Sequence, residues 1–196
     1  YELSKEYNAL LMVDDAHATG VIGNGRGTAH HFGLTDVDVQ LGTLSKALGS
    51  VGGYVAGRKE LIEYLVNYSR SFIFSTALSP ADIGAALEAL TIVKNEPLVV
   101  EQLNENTAYM ANKLQSMGIE CDDETPIFPI IVGDNERALS LAYELELRGI
   151  IITAIRPPTV PVGESRLRMT VTAAHSQEQL DYVANTLRDL LVDINI

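Results

Sequence analysis

Cysteine occurs once in 196 residues, at Cys121. An internal disulfide is therefore excluded, and a reducing, cytoplasmic setting is the natural expectation. Basic residues are scarce: 14 Lys and Arg stand against 26 Asp and Glu, for a net charge of −12. So acidic a chain is a poor partner for nucleic acid, whose phosphates are bound by clustered cations. Long apolar runs are missing too. No stretch approaches the roughly 20 residues of a membrane span, and no signal-peptide pattern is found in these residues. An initiator methionine is also missing. The chain opens on "YELSKEYNALLMVDD", a helix-like stretch that runs directly into a strand. Such a start is expected of the C-terminal part of a longer protein. The remaining composition, 46% hydrophobic and 20% charged, is that of a globular protein with a buried core.

Short apolar runs at residues 10–14, 37–44, 52–57 and 72–76 are expected to be strands. Between the last two, residues 59–71 place Leu61, Ile62, Leu65 and Val66 at helical spacing. Ser79 before Pro80 has the chemistry of a helix N-cap, opening a helix to about Lys94. Another helix spans about residues 99–117. Beyond Gly118 the order becomes a strand (126–134), a helix (135–149) ended by Gly149, strands at 150–155 and 166–173, and a closing helix (176–194). This β-α-β-β-α order predicts a compact α+β module. A boundary within residues 95–120 divides the chain into 1–95 and 96–196. No repeat and no low-complexity segment is visible.

Polar residues collect where the strands of the first half end. The first is followed by Asp14, Asp15, Ala16 and His17, the second by Ser45 and Lys46, and "FIF" by Ser75 and Thr76. Open α/β sheets bind ligands beyond the carboxyl ends of their strands. In "LGTLSKALGS" the lysine stands among small residues. A lysine so placed can form a Schiff base with an aldehyde when its pKa is depressed. An aspartate at a strand end can hold a protonated ring nitrogen by its charge, and hydroxyls with glycine amides can hold a phosphate. Aldehyde, pyridine nitrogen and phosphate are the three handles of pyridoxal phosphate. Plainer readings exist for each residue alone. Taken alone, Lys46 reads as a solvated surface lysine, and "DDAH" equally as an Asp-capped turn with a core histidine. A metal site at His17, His30 and His31 lacks any Cys₂His₂ or HExxH spacing. "GTLSKALG" is not a P-loop, because Ser45 precedes its lysine and Ala47 follows it. "GSVGG" fails the dinucleotide fingerprint.

Four segments, "VDDAHATGVIGNGRG", "GTLSKALGSVGGY", "FIFSTALSP" and "TAIRPPTVPVGESRLRMTVTAAH", run in this order from about Leu11 onward. Together they resemble the α-oxoamine synthases, pyridoxal phosphate enzymes of the aspartate aminotransferase-like fold (fold type I). The resemblance implies an α/β chain: the C-terminal part of a large cofactor-binding domain (1–95), then a connecting helix and a small α+β domain (96–196). It implies that Lys46 bonds the cofactor's aldehyde and later moves the substrate's α-proton. Asp14 would pair with the ring nitrogen, His17 with the phenolic oxygen, and Thr43 with the phosphate. Ser75 and Thr76 would reach a phosphate in the partner subunit's site of a homodimer. Arg168 would bind the substrate carboxylate, and Arg156 and Thr159 would sit on the substrate loop. Arg166 and His175 are expected to be structural. The implied reaction is a decarboxylating condensation of an amino acid with an acyl thioester. "RPPTVP" resembles the branch that joins L-alanine to a pimeloyl thioester, on CoA or a carrier protein, in biotin biosynthesis. Two alternatives stand beside it: glycine with acetyl-CoA or another thioester, and a non-catalytic piece that folds without binding cofactor. Family members carry a glycine-rich phosphate site, a ring-stacking residue and a serine ahead of the Asp14 strand. None of the three is identified in this sequence.

Overall fold

The first of two units runs Tyr1–Val100 and the second Glu101–Ile196. A computed structural model describes residues 1–192. The first unit contains α1 (Glu2–Glu6), β1 (Met12–Asp14), α2 (Thr28–His31), β2 (Val39–Thr43), β3 (Gly53–Gly57), α3 (Lys59–Tyr68), α4 (Arg70–Ile73) and α5 (Pro80–Asn95). The division falls within α6 (Pro97–Gln115). The second unit continues with β4 (Ile127–Gly133), α7 (Asn135–Glu146), β5 (Thr153–Ile155), β6 (Ser165–Thr170) and α8 (Gln177–Val192). Residues 193–194 of the expected closing helix lie outside the described residues.

In the first unit the sheet order is β1-β2-β3. β1 and β2 are parallel, with Met12 opposite Val39 and Asp14 opposite Leu41; β3 returns antiparallel, Gly53 opposite Thr43. The carboxyl ends of β1 and β2 and the start of β3 therefore share one end of the sheet. Apolar residues buried here are few and mostly small: Ala18, Ala29, Val37, Leu48, Ala86 and Val100. Met12, Val55, Phe72, Phe74 and Leu87 face outward. The unit thus leaves several large apolar side chains exposed.

Residues 72–76 do not form the expected strand. Ile73 N donates to Ser69 O (2.9 Å) and Phe74 N to Arg70 O (3.0 Å), closing the helical turn α4. A short apolar run cannot by itself separate strand from helix. Here the Arg70 guanidinium lies 5.4 Å from the centroid of the Phe74 ring, four residues on. That i,i+4 pairing belongs to a helical turn.

Ser79 caps α5. Its Oγ accepts a hydrogen bond from Asp82 N at 3.2 Å, and Pro80 occupies the first turn. Ser79→Ala is expected to cost about 1 kcal/mol of stability. A lower urea midpoint at unchanged m-value would show it.

The second unit has an antiparallel sheet in the order β4-β6-β5. One face buries Phe128, Ile130, Leu167 and Met169 against Met110 and Leu114 of α6, Leu141 and Leu145 of α7, and Leu180 and Leu187 of α8. Each side chain of this size contributes about 1.5–3 kcal/mol when fully buried. The period-two pattern of β6 sends Leu167 and Met169 inward and Arg168 and Thr170 outward. Residues 150–152 do not join the sheet, although a strand was expected from 150. Gly149 adopts φ 76° and Ile150 N donates back to Leu145 O at 2.9 Å, which ends α7. Pairing with β6 begins at Thr153. Between α6 and α8, Lys113 meets Asp181 at 2.7 Å and Tyr109 donates to the same carboxylate at 2.8 Å. The Lys113 hydrogen bond holds Asp181 below the usual carboxylate range. This tie is present above the ordinary aspartate pKa and fades as pH falls through the lowered value.

Candidate active site

The lysine turn begins where β2 stops. Leu44 N donates to Gly52 O (2.9 Å), Ser50 N to Leu44 O (2.8 Å) and Gly49 N to Lys46 O (3.0 Å). These backbone bonds close residues 44–52 into a turn that leaves Lys46 exposed. Thr43 Oγ1 supports its base, donating to Gly52 O at 3.1 Å and accepting from Ser45 N at 3.2 Å. It also lies 2.7 Å from Ser45 Oγ. At Gly42 the Tyr54 ring packs close: a Cβ there would meet it at 2.8 Å.

The acidic turn begins where β1 stops. Asp14, the last residue of β1, faces outward, and Asp15, the next residue, faces inward and is only 3% exposed. Asp14 Oδ1 accepts from Ala16 N at 2.9 Å, which orients the carboxylate at the strand end. His17 follows, exposed. The Thr19 hydroxyl lies 2.7 Å from Tyr54 Oη on β3. Gly20 packs on the lysine turn: a Cβ there would lie 2.9 Å from the Ala47 Cβ. The turn bearing Asp14 and His17 and the turn bearing Lys46 are therefore in contact.

Ser75 and Thr76 are exposed beyond α4, and Ser75 Oγ donates to Ser71 O. The chain that follows them reaches the same end of the sheet. Leu78 fills the space above Gly52, and Ser50 Oγ donates to Asp82 O at 2.6 Å. Amine, carboxylate, imidazole and hydroxyls thus stand at or near one end of one sheet. This donor set suits an aldehyde, a cationic ring nitrogen, a phenolic oxygen and a phosphate.

Arg156, Thr159 and Arg168 belong to the second unit, and all three are exposed. Thr159 N donates to Arg156 O at 3.0 Å, closing the turn through Pro157 and Pro158. Arg168 stands on the outward face of β6, opposite Pro129 and Thr153. Arg166 is held by Glu164 at 2.7 Å. His175 Nδ1 accepts from Thr172 N at 3.1 Å, while buried Asn106 donates to the carbonyls of Thr172 (3.0 Å) and His175 (2.9 Å). Among the described residues no group of three or more His, Cys, Asp or Glu is placed to hold a metal ion. Nor is any described helix long and apolar enough to cross a membrane.

Sequence reasoning gave no role to Asp15, Thr19 or Tyr54. For Asp15 a signal was present: it directly follows Asp14 at the strand end, and successive residues of extended chain face opposite sides.

The sequence matches the aminotransferase class I and II family over residues 1–187. It is 49% identical to the 8-amino-7-oxononanoate synthase of Lysinibacillus sphaericus, covering 100% of this chain and 51% of that protein. Against 8-amino-7-oxononanoate synthase 1 of Bacillus subtilis (strain 168) the identity is 44%, over 100% of this chain and 50% of the relative. A serine palmitoyltransferase variant from S. paucimobilis, with bound PLP–myriocin, superposes with a TM-score of 0.93 at 27% identity, over 99% of this chain and 50% of that one. The 8-amino-7-oxononanoate synthase of Francisella tularensis gives 0.84 at 26% identity, over 100% and 58%. The chain spans about half the length of the curated relatives it matches.

Proposed function

The chain belongs to the aminotransferase class I and II family, with the α/β architecture of fold type I, and from that premise we propose a pyridoxal phosphate-dependent acyltransferase. The reaction we assign is the condensation of L-alanine with a pimeloyl thioester to give 8-amino-7-oxononanoate, with release of CO₂ and of the carrier thiol. The names of relatives at 44–49% identity support the product, and the "RPPTVP" segment supports the amino acid and thioester. The observation that carries the reading is the contact of Gly20 with Ala47. It joins the turn of Asp14 and His17 to the turn of Lys46.

When bound, the cofactor draws into its ring the negative charge left by the departing α-proton. The chain's own residues do the rest. Asp14, oriented by Ala16 N, keeps the ring nitrogen protonated by its charge. His17 hydrogen-bonds the phenolic oxygen. Lys46 would hold the aldehyde, and its amine, freed when the substrate's amino group takes its place, would carry the α-proton. Thr43 touches the phosphate, and Ser75 and Thr76 serve the phosphate of the partner subunit in a cytoplasmic homodimer. Arg168 pairs bidentately with the substrate carboxylate. Arg156 and Thr159 line the substrate loop. Residues 1–95 are then the C-terminal part of the large domain, and 96–196 the connecting helix and small domain. The outward-facing apolar residues of the first unit fit burial against the rest of that large domain and the second subunit.

The test is covalent. The full-length polypeptide is incubated with pyridoxal phosphate, reduced with borohydride, digested and mapped by mass. A pyridoxyl group on Lys46 alone is the expected result. Product assays should then favour L-alanine and pimeloyl thioester over glycine and acetyl-CoA. Labelling scattered over other lysines, or none, would reject the reading, and a preference for glycine would reject the substrates while leaving the cofactor.

A further inference from the structure

We propose that Asp15 is a positioning residue that fixes Asp14 and His17 for the reaction assigned above, on which this inference rests. It sits between the two residues directed at the ring, yet it is turned away from them and 3% exposed. A carboxylate so buried requires hydrogen-bond partners. Both of its oxygens accept from Thr28 N, each at 3.2 Å. Gly27 backs directly onto Oδ2, where a Cβ would overlap the carboxylate, and its φ of 94° suits glycine alone. The side chain therefore ties the strand-end turn to a point 13 residues further on, at the start of α2.

The main chain of Asp15 is committed as well. Its N–H donates to Leu41 O on β2 at 2.7 Å, and its carbonyl accepts from Ala18 N (3.0 Å) and Thr19 N (2.9 Å). The glycine-rich loop between is closed on itself, Gly20 N to Gly25 O and Gly27 N to Ile22 O, both at 2.9 Å. Tyr54 Oη meets Thr19 on the other side of the turn. With Asp15 held at backbone and side chain, its flanking residues have little freedom in the direction they face. Removing the carboxylate would leave Thr28 N–H without its acceptor and release the loop from the turn.

The test uses the full-length holoenzyme with Asp15→Ala and Asp15→Asn. For Asp15→Ala, amide hydrogen exchange across residues 15–28 should quicken by roughly tenfold or more, while β1 and β2 stay protected. The pH midpoint of the bound cofactor's visible absorbance should move, because Asp14 and His17 act on the ring. The kcat should fall by roughly tenfold to a hundredfold, with KM for the amino acid within about twofold. Asp15→Asn keeps an oxygen for Thr28 N–H and should recover most of the exchange protection and kcat that Asp15→Ala loses. Should Asp15→Ala fail to fold, Thr28→Pro carries the same expectations. It deletes the donor N–H at a first-turn position, where proline is tolerated. Unchanged exchange would overturn the tie. Faster exchange with unmoved midpoint and kcat would overturn the positioning role. Failure of the functional reading looks different: the parent protein itself would take up no cofactor on Lys46, and the exchange arm would still decide whether Asp15 holds the loop.

Discussion

Lys46→Ala in the full-length protein is expected to lower turnover by at least about 10⁴-fold and to remove the borohydride-fixed label. One side chain is assigned two tasks, the bond to the cofactor and the transfer of the α-proton. General acid–base catalysis alone is worth roughly 10²–10⁴-fold, and the covalent task adds to it. The fold should survive. The turn is closed by Leu44 N to Gly52 O and Ser50 N to Leu44 O, bonds that do not use the lysine side chain. Thermal midpoint and circular dichroism should therefore match the parent. Lys46→Arg should be as inactive as alanine, since a guanidinium keeps the charge but is not a nucleophile at neutral pH. Lys59, paired across one helical turn with Glu63 and 83% exposed, is the control. Lys59→Ala should leave turnover unchanged. If Lys46→Ala retained turnover within about tenfold of the parent, Lys46 would be a surface lysine, the plainer reading its sequence also allows.

What the sequence made legible is local. Ser79 and Pro80 announce the start of α5 because capping depends on four consecutive residues. Gly149 announces the end of α7 because its left-handed backbone is a local requirement. The alternation of "RLRMT" gives the inward and outward faces of β6 directly. The polar residues after β1 and β2 could be brought to one end of a sheet by a general rule of parallel strands. What was not legible depends on partners far along the chain. Asp15 finds Thr28 at a separation of 13, and Thr19 finds Tyr54 at 35. Gly20 meets Ala47 only because the two strands pair in register. The run at 72–76 misled for a related reason. Apolar content was visible, but the pairing of Arg70 with Phe74 was not.

Asp14→Asn offers the sharpest separation of charge from shape. The amide is nearly isosteric and its oxygen can still accept from Ala16 N, so the turn and neighbouring Asp15 should keep their places. In the proposed site the difference is the loss of the one negative charge assigned to the ring nitrogen. A protonated pyridine needs that charge to stay protonated at neutral pH, and only the protonated ring draws electrons strongly. Removing a preorganised electrostatic partner of this kind typically costs about 10²–10³-fold in kcat. The expectation is therefore a kcat lower by roughly that factor, with cofactor still bound on Lys46 at the parent stoichiometry. Spectrophotometric titration of bound cofactor and steady-state kinetics on the same preparation would measure both. An unchanged kcat would take Asp14 away from the ring nitrogen. A protein that no longer binds cofactor would assign Asp14 to binding rather than to the chemistry. The companion Asp15→Asn variant should cost far less kcat, because its amide oxygen can still take the Thr28 N–H. A much larger kcat loss at Asp14 than at Asp15 from the same substitution would show that the first position needs its charge and the second its acceptor oxygen.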